Sequence, residues 1–150
     1  MKYKISICIL FFVFINIMNG DNNKSELVFI YNAKSGIINS LIDFTHKVIS
    51  PDTYECNLCA ITYGTFTKKN LWADYIESIP IASIFTYKDK IVDKKLDNVI
   101  LPTVFLKKND RFIQLISSIE LNKLDNLEGL IVLLNSRLKE KGVMKKEQKI

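Results

Sequence analysis

From residue 26 onward the hydrophobic positions fall into runs whose period changes along the chain. Leu27, Val28, Phe29, Ile30 and Tyr31 follow one another without a polar break, which predicts a buried strand over 26–31, and Asn32-Ala33-Lys34-Ser35-Gly36 supplies a turn. Ile37, Ile38, Leu41, Ile42, Phe44, Val48 and Ile49 then recur at helical spacing until Ser50-Pro51 stops the pattern. Ala60-Ile61-Thr62-Tyr63-Gly64 predicts a second strand. A second helix, capped by Thr67 or Asn70, carries Leu71, Trp72, Tyr75, Ile76 and Ile79 on one face and ends at Pro80. Residues 81–86 predict a third strand and the lysine- and aspartate-rich residues 88–98 an exposed loop. Residues 99–106 and 111–116 form a predicted hairpin across Lys107-Lys108-Asn109-Asp110. The last helix, 125–141, lines up Leu127, Leu130, Ile131, Leu134 and Leu138, with Gly142 as its stop.

Strands and helices alternate early and a hairpin follows late, so the class is α/β with a mixed sheet flanked by helices. That order, with the step Leu101-Pro102-Thr103 before the hairpin and an amphipathic helix at the end, resembles the thioredoxin-like fold over residues 26–141. The resemblance implies a cis peptide at Pro102 beside a redox-active cysteine pair, with Pro102 shaping the surface that meets a protein thiol or disulfide partner. The chain departs from that pattern in one place. Where the thioredoxin family keeps its cysteines, between the first strand and first helix, this sequence has Asn32-Ala33-Lys34-Ser35-Gly36. Its own pair, Cys56 and Cys59, precedes the predicted strand at 60–64, at the opposite end of the sheet from Pro102. More locally, Tyr31-Asn32-Ala33-Lys34-Ser35-Gly36, His46-Lys47, Ser50-Pro51, Thr53-Tyr54, Cys56-Asn57-Leu58-Cys59 and Thr62-Tyr63-Gly64 resemble the signature of an uncharacterised bacterial family whose members carry a loose GTPase label.

Composition narrows this further. At 150 residues, 48% hydrophobic and 25% charged, the chain has material for one folded domain. The formal charge of +5 is uneven: residues 1–20 carry +2, residues 137–150 carry +4, and the body between them is left at −1. Basic residues interleaved with aromatics, the mark of a nucleic-acid binder, are missing, so nucleic acid is excluded as a partner. Residues 142–150 read as a basic flexible tail. Lys2 and Lys4, the apolar run from Ile5 to Met18 and the polar stretch after it have the layout of a signal peptide over residues 1–20. The run is shorter than a spanning helix needs, so the reading is export to a periplasmic or extracellular space; an uncleaved N-terminal segment is the alternative and the sole route to a membrane.

With that segment removed, the cysteines reduce to Cys56 and Cys59, spaced C-x-x-C in a chain bound for an oxidising compartment. Three fates fit this spacing. In dithiol exchange Cys56 is the attacking thiol and Cys59 the resolving one, although the acidic neighbour Glu55 would raise a thiol pKa. Alternatively the pair is a structural disulfide closing a tight loop in a binding or structural module. The third fate is zinc, held by Cys56, Cys59, the sole histidine His46 and Asp43 one helical turn before it. His46 is equally a helix C-terminal cap.

Other chemistries are excluded or stay secondary. The run G-x-x-x-x-G-K-[ST] that wraps nucleotide phosphates does not occur, so the GTPase label has no P-loop behind it. Cys59 is followed by Ala60 and not by histidine, which removes covalent haem. The turn with Lys34 and Ser35 could hold an anion at the helix start, or Ser35 could simply cap that helix. Tyr54, Tyr63, Phe66 and Trp72 line either a partner groove or the core.

Overall fold

The computed structural model describes residues 24–35, 56–63 and 66–145, with the side chains of 66–69 excepted. Four strands form one mixed sheet: β1 (Ser25–Tyr31), β2 (Ala82–Tyr87), β3 (Thr103–Lys108) and β4 (Arg111–Ile116), in the spatial order β2-β1-β3-β4. β1 runs parallel to β2 and antiparallel to β3, and β3 pairs antiparallel with β4. As the second strand from one edge, β1 buries side chains on both faces, which is why its sequence is an unbroken apolar run and not an alternation.

The two faces are covered differently. Leu27, Phe29, Tyr31, Val104 and Leu106 point into the larger core, which α1 (Asn57–Thr62), α2 (Phe66–Ser78) and α4 (Leu127–Glu140) close from one side. α4 contributes Leu127, Leu130, Leu134 and Leu138, a stripe at helical spacing in which all four side chains are fully buried. Trp72 of α2 meets Phe29 edge to face, with ring centroids 5.4 Å apart. Val28, Ile30 and Phe105 point the other way, where the β2–β3 connection covers them with Ile91, Val99, Leu101 and, from the 3-10 turn Lys94–Leu96, Leu96.

The hairpin turns as its sequence demands: Asn109 and Asp110 take φ of 49° and 59°, the left-handed pair of a tight two-residue turn. A register shift between Val104 and Phe105 lets β4 bury Leu115 and Ile116 in succession. The strand then turns into α3 (Ser118–Leu121), a single turn in which Ser117 and Glu120 cap each other. After α4, Gly142 takes φ of 71°, and Val143 and Met144, expected within the tail, pack back on the core. Residues 146–150 lie outside the described residues, as do the N-terminal segment 1–20 and the first helix expected over 37–49. Among the described residues no helix is long and apolar enough to cross a membrane.

One predicted element is of the wrong type. The strand expected at 60–64 is instead α1, and Leu58, Cys59, Ile61 and Thr62 form its buried side. Five apolar or β-branched residues in a row satisfy a buried strand and a short buried helix equally, so periodicity alone could not separate them. Tertiary contacts decide: as a helix, this segment sends the Thr62 hydroxyl to Tyr31 at 3.2 Å and the Tyr63 ring to within 5.4 Å of the Tyr31 ring.

Candidate functional site

The correction to α1 moves the cysteines. Cys56 is the N-cap of α1 and Cys59 lies in its first turn, so the C-x-x-C pair opens a helix and does not lead into a strand. The two sulfurs are paired as a disulfide across a Cα–Cα distance of 5.2 Å. The Cys59 backbone N–H donates to Cys56 Sγ at 3.3 Å, and Ala60 N–H donates to Cys56 O at 3.1 Å. Cys56 thereby does with sulfur what a serine or aspartate N-cap does with oxygen. Both residues are buried, Cys56 to 0% and Cys59 to 3% exposure.

The same change overturns the expected separation from Pro102. Ile30 pairs with Thr103 and Val104 with Ile116, so the C-terminal end of β1, the N-terminal end of β3 and the C-terminal end of β4 coincide. Pro102 stands there, and the Leu101–Pro102 peptide is cis. α1 reaches this end through Tyr31 and Thr62. It does so again through Asn57, whose Nδ2 donates to Leu121 O at 2.7 Å and Leu124 O at 2.8 Å in the segment following β4. Ser118 Oγ of α3 donates to Leu101 O at 2.9 Å, so α3 is tied both to the cysteine helix and to the cis step. Cysteines and proline therefore share one end of the sheet.

Pro102 itself is buried. Large apolar residues that reach solvent near it are Ile100, 75% exposed, and Ile119, 68% exposed. They flank an open hollow of about 340 Å³ that Val99, Phe105, Gln114 and Ser117 also line, on the face of the sheet opposite the cysteines. Sequence reading missed Asn57, Ile100, Ser118 and Ile119. The one signal in the sequence that could have marked a helix start there is Ser117-x-x-Glu120, a capping-box spacing.

His46, Asp43 and Glu55 lie outside the described residues. Among the described residues no group of three histidine, cysteine or acidic side chains is placed to hold a metal. Two sulfurs bonded to each other have no thiolate to offer zinc, so the metal reading needs the reduced pair. At the turn read as either an anion site or a Ser35 cap, the chain supplies its own carboxylate: Asp89 accepts from Ser35 N and from Ser35 Oγ, each at 2.8 Å. Those two bonds hold the Asp89 carboxyl below its usual pKa. Trp72 is core, and Tyr63 is half-buried, its hydroxyl 3.2 Å from that of Tyr87. Desolvation by burial raises the pKa of Tyr31, so this phenol stays neutral between Thr62 and its aromatic neighbours.

Comparison with protein-family models, with curated proteins and with solved structures finds no match to this chain.

Proposed function

We propose that this chain is an exported thioredoxin-like domain that exchanges disulfides with protein thiols, using Cys56 as attacking thiol and Cys59 as resolving thiol. The observation that carries the reading is the hydrogen bond from Cys59 N–H to Cys56 Sγ at the start of α1. A donor aimed at sulfur stabilises thiolate over thiol, and thiolate is the reactive form. The strand order β2-β1-β3-β4, the antiparallel second half of the sheet and the cis Leu101–Pro102 step fit a thioredoxin-like domain. Ile100 and Ile119 give a polypeptide partner an apolar foothold beside that step. The disulfide is compatible with an oxidising compartment, which agrees with the export reading of residues 1–20.

In the forward reaction Cys56 thiolate attacks a partner disulfide, forming a mixed disulfide and releasing one partner thiolate. Cys59 thiolate then attacks Cys56 Sγ, releasing the second partner thiolate and leaving the Cys56–Cys59 bond, so two electrons pass to the partner.

Burial of both sulfurs favours a second reading, an inert structural bridge. Its weakness is loop size. Closing a ring of only four residues constrains the unfolded chain by about 2 kcal/mol on the chain-entropy account, less than the ~3 kcal/mol of a fifteen-residue loop. Serine variants separate the two readings in a Cys8→Ala background, with turnover followed as reduction of a disulfide-bonded protein by dithiothreitol. Exchange predicts that Cys56→Ser abolishes turnover while Cys59→Ser accumulates a mixed disulfide on Cys56, visible by mass. A wild-type chain without turnover, with both serine variants losing only stability, assigns the bridge a structural role.

A further inference from the structure

Asn57, inside the four-residue ring, sends its side chain away from the sulfurs and into the α3–α4 connection. The amide nitrogen has two protons, and the carbonyls of Leu121 and Leu124, at 2.7 and 2.8 Å, take one each. α3 is itself fastened by its capping box, by Ser118 to Leu101 O and by Arg137 to Glu120 at 2.7 Å. Asn57 therefore joins the cysteine turn to a fixed point of the sheet end.

We propose that Asn57 is a latch that sets how often the Cys56–Cys59 bond becomes open to attack. The proposal rests on the exchange reading for its use but not for its test. An external thiolate must approach Cys56 Sγ along the S–S axis, forming a new S–S bond as Cys59 leaves as thiolate; a second thiolate then frees Cys56 by attacking the mixed disulfide. With Cys56 at 0% and Cys59 at 3% exposure, the bond must first be uncovered, and a displacement of the start of α1 breaks its tie to Leu121 and Leu124. Giving up both Asn57 hydrogen bonds together is the cost of that local opening. Asn57 is a positioning residue, since it touches neither sulfur's reacting partner.

The test uses the oxidised full chain in the Cys8→Ala background, with dithiothreitol as the probe thiol and the rate of Cys56–Cys59 reduction as readout. Asn57→Ala removes the donors, and Asn57→Leu removes them while filling the same space, so one serves if the other folds poorly. Val28→Ala, which weakens the cluster on the other face of the sheet and leaves Asn57 intact, is followed in parallel. The latch predicts reduction about tenfold faster in either Asn57 variant, since both hydrogen bonds are lost on opening, and an unchanged rate in Val28→Ala, since a local opening leaves that cluster folded. An unchanged rate in the Asn57 variants overturns it, and so does an equal acceleration in Val28→Ala, which would mean that reduction proceeds through general unfolding. Faster reduction in a chain that shows no exchange turnover keeps the latch and removes the exchange reading.

Discussion

Ser83 is half-buried, and its buried hydroxyl oxygen, among the described residues, meets no hydrogen-bond partner. It stands opposite Leu27 in the β1–β2 register, beneath the apolar face that Phe29 and Trp72 fill. Thr62 and Thr103 show the contrast: both are fully buried, yet Thr62 Oγ1 donates to Leu58 O at 2.8 Å and Thr103 Oγ1 to Ile116 O at 3.0 Å. An unmet hydroxyl costs about 1–3 kcal/mol on burial. Ser83→Ala is therefore expected to raise stability by about 1 kcal/mol, read as a higher urea midpoint at constant slope. A lower midpoint would mean that the hydroxyl has a partner. At the same scale, Asn57 shows what a sequence hides. An asparagine between two cysteines looks like turn chemistry, and only the folded chain brings it to Leu121 and Leu124.

Among the α-helices of the described residues, α3 is the shortest, and its cap is tied at several points. Glu120 accepts from Ser117 N and Oγ at 2.9 and 2.7 Å and pairs with Arg137. The Ser117 backbone bond first, then its hydroxyl and the guanidinium, lower the Glu120 pKa from 4.5 to about 2. The folded-state value is the depressed one, so this stabilisation is present above about pH 4.5 and is lost as pH falls toward 2. Glu120→Gln is expected to flatten the acid limb of the stability profile over that window, measured by urea denaturation at stepped pH. The effect is modest because the side chain is 37% exposed and solvent screens it; an unaltered acid limb would contradict the assignment. Legibility in the sequence followed element length. α4 was plain because Leu127, Leu130, Leu134 and Leu138 repeat over fourteen residues, and the hairpin because Asn109-Asp110 suits left-handed backbone. α1, six residues long, lacked the two turns that a helical period requires, and α3, four residues long, could be recognised only by its cap.

For the whole molecule, mistaking α1 for a strand had the largest consequence. With a strand at 60–64 the cysteines stood at the far end of the sheet from Pro102; with a helix they stand at the same end, held there by Asn57, Thr62 and Tyr63. A mixed sheet was within reach of the sequence through element order, and the cis step only through the thioredoxin-like resemblance that Leu101-Pro102-Thr103 carries. The meeting of α1 with α3 was not, because it depends on contacts between residues more than sixty positions apart. Exposed Ile100 and Ile119 complete that end with an apolar rim. The central claim is that Cys56–Cys59 is an exchange pair and not a staple, and the reduction potential of that pair tests it most directly. It is measured on the full chain in the Cys8→Ala background by alkylation and mass after equilibration in graded thiol–disulfide buffers. A value between about −120 and −270 mV, the span of known exchange catalysts, is the predicted result, and one below about −300 mV would mark a structural bridge and contradict the account.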